Sequence, residues 1–385
     1  MNSERGSPSR ARRVHRVTVR LVLVVLAIAV AVVVIHWLLS GSPFAALGFL
    51  FDPTGWDIAY SILSFNKNDP YWWAFVVGVT NTVTAGMLGI AGATVLGFVT
   101  GLAPLAGNRL LSDIARAYVD IVRNIPLILQ AAFWYGIILH LPPARSAFGV
   151  FGIAYLSNRG LCVPKFVDTV TVVGAVILFL VLYRGVAATW RAWHNRQETS
   201  SALWRRGVPI LTTLFAAAGL TLLLPHLPAA FAIDVPVLRG LNFRGGFQIP
   251  PEFAALATAI ILYRGAYVGE IFRGGFLSVP RGQIEAAISL GLKPWMVLWK
   301  VRLPLALILI VPPLSSEYMT IVKVTSIGIV IGFADLFMVS SSAAVQTGRP
   351  IEVILVMMLT YLLLNYSLSG ALNVVNRRVR ARGYD

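Results

Sequence analysis

The chain has 385 residues, of which 57% are hydrophobic and only 12% are charged, and its mean hydropathy is +0.76. This composition excludes an ordinary soluble domain of the same length. The formal net charge of +16 does not indicate nucleic-acid binding, because the basic residues lie between apolar segments and form no soluble basic face. The single cysteine, Cys162, excludes an intrachain disulfide framework and a thiolate metal cluster.

Apolar segments of membrane-spanning length recur along the chain and predict an all-α integral membrane protein with about eight transmembrane helices. The predicted helices cover residues 17–39, 73–102, 117–139, 168–183, 208–224, 251–274, 303–322 and 351–372. The segment 326–346 is predicted to be either re-entrant or a short additional span. The intervening segments 141–167 and 225–250 are predicted loops, and Arg109 and Arg116 fall in a further short loop.

Three local patterns refine this prediction. Small residues on the helix 73–102 predict a face for close helix packing, and they are Gly86, Gly89, Gly92, Gly97 and Gly101. Trp72 and Trp73 indicate an interfacial aromatic pair at the start of that helix. Pro312 and Pro313 are expected to break the helix 303–322.

Basic residues are distributed unevenly between the two sides of the predicted bundle. The tails 1–16 and 376–385, the two loops at 109–116 and 184–206, and the segment 281–302 fall on one side and carry most of the arginines. By the positive-inside rule this side is cytoplasmic, so both termini are predicted to be cytoplasmic. Residues 17–72 then form a first helix and a periplasmic linker.

The segment 281–292, Arg-Gly-Gln-Ile-Glu-Ala-Ala-Ile-Ser-Leu-Gly-Leu, is polar although a membrane-length apolar segment lies on either side of it. Residues 283–290 are good or fair helix formers, and Gly291 is placed to end the helix. Glu285 is expected in the first turn, where the helix dipole favours a carboxylate. The sequence therefore predicts a short helix at the cytoplasmic surface that contacts a partner.

Motifs for chemistry are missing from the sequence. It holds no Gly-x-x-x-x-Gly-Lys-Ser/Thr loop, no His-Glu-x-x-His and no Gly-x-Ser-x-Gly. The five histidines are scattered at or near predicted helix ends, which favours solvated interfacial side chains. We therefore expect a protein that is not an enzyme and has no cofactor of its own.

The segment 281–292 resembles the Glu-Ala-Ala…Gly signature of importer-type ABC permease subunits, in the version of the polar amino acid branch. Its flanks, 266–275, 303–306, 312–318 and 323–326, are similar to the same branch, as are Asn81-Thr82 and residues 118–130. The resemblance covers roughly 73–138 and 250–372. The insertion at about 141–249 and the extra first helix resemble the larger permease of the general L-amino acid systems, of the Aap and Bzt type.

This resemblance implies a permease domain at 73–375 in the inner membrane, with a coupling helix at about 281–292 that docks into a separate ATPase subunit. Glu285, Ala286, Ala287 and Gly291 are the implied coupling residues. The implied partners are two copies of the ATPase, which uses the ATP, a second homologous permease, a periplasmic amino acid-binding protein, membrane lipid and an L-amino acid substrate. The inserted loops around Arg159 and Arg244 are expected to help dock the binding protein.

Charged residues within spans are costly and are therefore candidates for the substrate pathway. The candidates are Arg264, Tyr267, Glu270, Glu317, Tyr318, Lys323, Thr325 and Ser326. A zwitterionic amino acid needs donors for its carboxylate and an acceptor for its ammonium group. The alternative is that these charges pair with each other or with helix ends. Residues 123–126 are interpreted as a structural corner, because Pro126 interrupts a helix whose freed carbonyls need donors.

Several alternatives remain open from the sequence. The permease is either one of two different subunits or a homodimer with a narrower substrate range. An ion-coupled secondary transporter and a membrane enzyme or scaffold are functions of other classes. The signature helix itself is alternatively an interfacial amphipathic helix without a partner.

Overall fold

The computed structural model describes residues 47–166 and 232–381. The predicted helices at 17–39, 168–183 and 208–224, the N-terminal tail and the last four residues lie outside the described residues. The chain divides into two compact units. The described part of the first unit is residues 47–90 with 274–381. The described part of the second unit is residues 91–166 with 232–273.

Eight helices of eight or more residues build the described part of the chain. They are α1 (Tyr71–Leu102), α2 (Arg109–Asn124), α3 (Leu127–Leu139), α4 (Pro251–Leu277), α5 (Arg281–Ser289), α6 (Leu303–Val324), α7 (Leu336–Thr347) and α8 (Pro350–Ala381). Between α5 and α6 lie a single helical turn, Pro294–Val297, and a π-helical turn, Leu298–Arg302. A 3₁₀-helix, Thr325–Ile331, follows α6.

Within the described residues, four helices are long and apolar enough to cross a membrane, or five if the bent pair α2 and α3 is one span. The prediction of a helical membrane protein is confirmed, while the count of eight spans stays a prediction. The segment 326–346 is resolved into the 3₁₀-helix and α7. At about 1.5 Å per residue, the 12 residues of α7 extend only about 18 Å, which is too short to cross the membrane core.

Helices α2 and α3 meet at a bend of 103° at Ile125 and Pro126. The Gln130 side-chain amide donates to the carbonyl oxygens of Val122 (2.9 Å) and Ile125 (3.0 Å), which the bend leaves without helical partners. The interpretation of residues 123–126 as a structural corner is thus supported. The predicted loop at 109–116 is wrong, because the Asn108 side chain caps α2 and accepts from the Leu111 backbone N–H.

The expected break at Pro312 and Pro313 is also wrong, since α6 continues through both residues. Each proline removes one backbone donor, so two carbonyls on the preceding turn lose their helical partners. Nearby, the Ser315 hydroxyl donates to the carbonyl oxygen of Val311 at 2.8 Å. That carbonyl is not one of the two freed ones, which belong to Ile308 and Leu309. Transmembrane helices tolerate proline when neighbouring groups and local adjustments satisfy such carbonyls.

In the second unit, glycines of α1 lie directly against side chains of α4. A methyl group at Gly92 would lie 2.5 Å from Cγ1 of Ile261, and one at Gly101 would lie 2.5 Å from Cβ of Phe272. At Gly97 it would lie 2.5 Å from Cγ1 of Val268. The predicted packing face is confirmed at these three positions, where the lack of a side chain brings the two backbones close.

In the first unit, a buried polar cluster fixes the non-helical turn before α7. The Asn81 amide of α1 donates to the carbonyl oxygens of Ala334 (2.8 Å) and Tyr60 (3.0 Å). The Thr82 hydroxyl accepts from the backbone N–H of Leu336 at 3.0 Å, and Asp335 caps α7 by accepting from the N–H of Met338. These polar side chains satisfy backbone groups that no helix can satisfy at this turn.

The two segments predicted as loops, 141–167 and 225–250, contain short strands in their described parts. The strands are β1 (Phe148–Val150), β2 (Ala154–Ser157), β3 (Gly160–Val163), β4 (Lys165–Phe166), β5 (Ile233–Asp234), β6 (Val237–Arg239), β7 (Asn242–Arg244) and β8 (Phe247–Ile249). All pairings are antiparallel. Four strands form one sheet of order β1-β2-β3-β8, and two further two-stranded sheets pair β4 with β5 and β6 with β7. Strands of two to four residues are too short to show a clear alternation in sequence.

Gly97→Ala tests the close contact of α1 with α4. The added methyl group meets Val268 and, at 2.8 Å, the backbone nitrogen of Gly269, which cannot move as a side chain can. We expect the free energy of unfolding to fall by about 1–3 kcal/mol, measured by thermal unfolding in detergent. Gly136→Ala in α3 is the control, because nothing lies within 4 Å of its added methyl group. Equal stability of the two variants would contradict the packing argument.

Candidate functional site

The signature segment forms the helix α5, Arg281–Ser289, between the spanning helices α4 and α6. The prediction of a short helix within about 281–292 is confirmed, and the helix begins at the first residue of that segment. Pro280 occupies the N-cap position and accepts at its carbonyl oxygen from the N–H of Gln283. Glu285 therefore lies in the second turn, and its expected place in the first turn beside the helix N-terminus is wrong.

Gly291 ends the signature helix as predicted. Its φ is +78°, in the left-handed region that glycine adopts without steric cost. The backbone N–H of Gly291 donates to Ile288 (2.8 Å), and that of Leu292 donates to Ala287 (3.2 Å). This pattern satisfies carbonyls at the end of the helix and turns the chain out of it.

The signature helix presents a mixed surface to its surroundings. Glu285 and Ala286 are exposed, whereas Ala287 is buried and forms the side of the helix that packs on its own unit. Beyond them, Ile288 is 58% exposed and Leu290 is 81% exposed. A carboxylate beside a small residue and two exposed aliphatic side chains gives this short helix a surface suited to contact with another protein.

The segment that follows ties α5 to the spanning helices. The Arg302 guanidinium at the end of the π-helical turn donates from Nε to the carbonyl oxygen of Phe276, near the end of α4, at 3.1 Å. Gly275 of α4 lies directly against Ile310 of α6, so a side chain there would collide with it. These two contacts join the end of α4 to the segment before α6 and to α6 itself within the first unit.

In the second unit, a cluster of two arginines and two tyrosines surrounds the middle of α4. The guanidinium carbon of Arg123 lies 4.7 Å from the centre of the Tyr267 ring, and that of Arg264 lies 5.5 Å from it. The hydroxyl groups of Tyr263 and Tyr267 lie 3.2 Å apart. Two cations held beside one aromatic ring by cation–π contacts can offer several donors to an anionic group.

Glu270 was also a predicted pathway residue, and the structure places it in an ion pair. Both of its carboxylate oxygens accept from Arg273, from Nε at 2.9 Å and from Nη2 at 2.7 Å. In a bidentate pair of this kind the carboxylate charge is neutralised by the neighbouring guanidinium. This geometry supports the structural alternative for Glu270.

The remaining predicted pathway residues lie in the first unit. Thr325 is fully buried and donates to the carbonyl oxygen of Val322 at 3.0 Å, and Ser326 donates to that of Lys323 at 2.9 Å. These two hydroxyls satisfy the end of α6. Glu317 and Tyr318 are half-buried on the same helix, and the Lys323 side chain is exposed.

Sequence reasoning missed Arg123 as a member of the cluster on α4. The residue was seen only as part of the corner at Pro126, and nothing in its local sequence indicates a contact with a helix 144 residues away. A neighbouring hydrogen bond spans the same separation in sequence: the Tyr118 hydroxyl of α2 donates to the Leu262 carbonyl oxygen of α4 at 2.5 Å.

Comparison with known proteins agrees with this architecture. Residues 93–381, more than half of the chain, match the family described as the inner membrane component of binding-protein-dependent transport systems. The chain belongs to this family.

Similar proteins with curated descriptions are also permeases. The chain is 39% identical to the amino-acid ABC transporter permease protein YhdX of Escherichia coli, over 87% of this chain and 85% of that protein. It is 35% identical to AapQ of Rhizobium johnstonii, a permease of a general L-amino acid transport system, over 87% and 84% of the two chains. It is 30% identical to BztB of Rhodobacter capsulatus, over 96% and 95%. Within the ABC permeases, the chain is therefore an amino acid permease of the Aap and Bzt type.

Proposed function

We propose that the chain imports L-amino acids across the bacterial inner membrane as one of two different permease subunits. In this assembly two copies of a separate ATPase hydrolyse ATP, and a periplasmic binding protein delivers the substrate. The observation that carries the proposal is the signature helix α5, a helix with an exposed carboxylate and exposed aliphatic side chains between two spanning helices. Its surface has the chemistry of a protein contact, and its attachment to α4 and α6 couples that contact to the membrane.

The coupling step follows from rigid-body mechanics. Ile288 and Leu290 enter an apolar part of a groove on the ATPase, and Glu285 pairs with a basic residue at its edge. When the two ATPase subunits close, α5 moves with them and carries the ends of α4 and α6. The Arg302 contact with the Phe276 carbonyl keeps those ends together during the movement.

The cluster on α4 is the proposed contact for the amino acid. The guanidinium groups of Arg264 and Arg123 bind the carboxylate of the substrate, and the tyrosine hydroxyls offer acceptors to its ammonium group. Arginine is suited to this task because its planar fork binds a carboxylate through two parallel hydrogen bonds. Glu270 has a positioning role through its pair with Arg273 and does not contact the substrate.

The proposed orientation places α5 and both chain termini in the cytoplasm and the sheet in the periplasm. Because α4 has 27 residues, it extends about 40 Å and can cross the membrane core. The strand β8 ends two residues before α4 begins, and α5 begins four residues after α4 ends. Crossing by α4 therefore puts the sheet and the signature helix on opposite sides.

Glu285→Lys is expected to uncouple transport from ATP hydrolysis without preventing membrane insertion. The reversed charge repels the basic edge of the groove, so we expect uptake of labelled amino acid by proteoliposomes to fall at least tenfold. Gln283→Lys is the control, since it also introduces a lysine into the same helix and leaves Glu285 in place. Full uptake by the Glu285 variant would refute the docking role.

Arg264→Ala is expected to impair passage of the substrate and to leave the ATPase cycle running. In proteoliposomes we expect amino acid uptake to fall at least tenfold while the binding protein still stimulates ATP hydrolysis. Arg273→Lys serves for comparison, because it retains a charge for Glu270 outside the cluster. Unchanged uptake by Arg264→Ala would assign Arg264 a structural role.

Single added cysteines test the orientation. Leu241→Cys is expected to react with a membrane-impermeant maleimide on intact spheroplasts, and Leu290→Cys only after permeabilisation, in cells without the ATPase that would cover α5. The native Cys162 gives little background, because it is buried and its burial raises the pKa of its thiol, with a further rise from the Asp234 carboxylate. The reverse labelling pattern would invert the proposed topology.

A further inference from the structure

The hairpin between β1 and β2 carries a phenylalanine at its tip that contacts almost nothing in the described chain. Phe151 is 94% exposed. The tip is a well-formed turn, in which the N–H of Ile153 donates to the carbonyl oxygen of Val150 at 3.3 Å. The side chain is therefore displayed by an ordered hairpin.

The backbone of Phe151 is in an unfavourable conformation. Its φ is +53°, and among the described residues it is the one residue other than glycine with a positive φ. Bulky side chains are disfavoured in this left-handed region, where glycine and asparagine are common. The position thus combines a steric cost with exposure of an aromatic ring, and the folded chain itself gains nothing visible from either.

The base of the hairpin is rigid. Gly160 in β3 packs so closely on the Ile249 carbonyl of β8 that no side chain would fit. Ser157 is buried, its hydroxyl accepts from the N–H of Arg159, and the Tyr155 ring stacks on Phe243 of the neighbouring hairpin at 4.7 Å. Because β8 leads directly into α4, the tip is held in a fixed position relative to the start of that helix.

The two segments that contain the hairpins are rich in basic residues. Residues 144–166 and 232–250 contain five basic residues and one acid, Asp234. Asp234 is used internally, since it accepts from the N–H of Gly246 at 3.0 Å and lies 3.9 Å from Nζ of Lys165. The other four, Arg145, Arg159, Arg239 and Arg244, are exposed. Such a density of bases is unusual on the outer side of a membrane protein, where the positive-inside rule disfavours them.

The second hairpin adds another exposed apolar tip. Leu241, between β6 and β7, is 63% exposed and follows Gly240, whose φ is +67°. The arginines at 239 and 244 flank this tip in sequence. Each hairpin therefore presents an exposed apolar side chain at its tip and is flanked by exposed arginines in sequence, which is the composition of an anchor residue with a polar rim.

We propose that the hairpin tips, with Phe151 as the principal anchor, dock the substrate-loaded periplasmic binding protein through an apolar pocket bordered by acidic residues. The proposal rests on the proposed function, because it assumes the periplasmic side and a binding-protein-dependent cycle. The family is described as dependent on a binding protein, which supplies a partner for this surface. The exposed arginines select an acidic surface and accelerate its approach.

Phe151→Asn separates docking from folding. Asparagine tolerates the left-handed backbone better than phenylalanine, so the thermal midpoint of the purified complex should stay the same or rise. Removal of the aromatic anchor should weaken binding of the loaded binding protein at least tenfold. The complete transporter in nanodiscs is titrated with its purified amino acid-binding protein, saturated with L-glutamate or L-glutamine, and both Kd and stimulated ATP hydrolysis are measured.

Phe51→Asn is the matched control. Phe51 is 77% exposed in the 3₁₀-helix Gly48–Phe51 and lies before α1, on the same proposed side but outside the sheet. Its replacement should leave Kd unchanged. An equal loss in both variants would overturn the specific role of Phe151.

The other outcomes also decide the matter. If Phe151→Asn binds the loaded protein with the wild-type Kd, the docking proposal is overturned. If the variant with this Kd is impaired only in its reconstitution into liposomes, the hairpin tip is assigned to lipid contact. If the loaded protein stimulates ATP hydrolysis by the wild-type complex and Kd is unchanged in Phe151→Asn, the docking proposal fails while the proposed function stands. A wild-type complex whose ATP hydrolysis ignores the loaded protein would overturn the proposed function as well.

Discussion

The requirement that backbone polar groups find partners in an apolar environment governs where this chain departs from straight helices. At two of these departures a side chain supplies the hydrogen bonds that the helix no longer supplies. Gln130 donates to two carbonyls at the bend between α2 and α3, and Asn81 donates to two carbonyls, one of them at the turn before α7. In lipid an unsatisfied group costs several kcal/mol, so these irregular segments depend on their polar side chains.

Close packing by glycine complements this constraint. Since lipid tails are as apolar as leucine, burial from water provides no force between spanning helices, and close van der Waals contact takes its place. Gly92, Gly97 and Gly101 bring α1 against α4 in the second unit. Most of α4 is thus packed closely against α1 in the second unit, where the sheet precedes it in sequence.

Helix α4 carries charged side chains in two different environments. Glu270 and Arg273 neutralise each other in a bidentate pair, which is the economical way to keep a carboxylate within a span. Arg264 instead lies beside two tyrosine rings, together with Arg123 from the corner of α2. In the proposed function this cationic and aromatic cluster binds the substrate carboxylate, and the signature helix that follows α4 in sequence contacts the ATPase.

Much of this organisation is encoded locally. The lengths of the apolar segments, the glycines of α1 and the polar segment ending at Gly291 predict spans, a packing face and a short surface helix, because each follows from spacing over fewer than thirty residues. The strands of the insertion are not evident from the sequence, since each holds at most four residues. In addition, the pairing of β3 with β8 joins parts of the chain some 90 residues apart. The unbroken course of α6 through two prolines and the meeting of Arg123 with Tyr267 likewise depend on contacts with other elements. The sequence by itself determined that the chain holds apolar helices long enough to cross a membrane and that a family signature lies between two of them. Only the tertiary structure decided which charges pair and which side chains stand exposed, because those properties depend on neighbours that are distant along the chain.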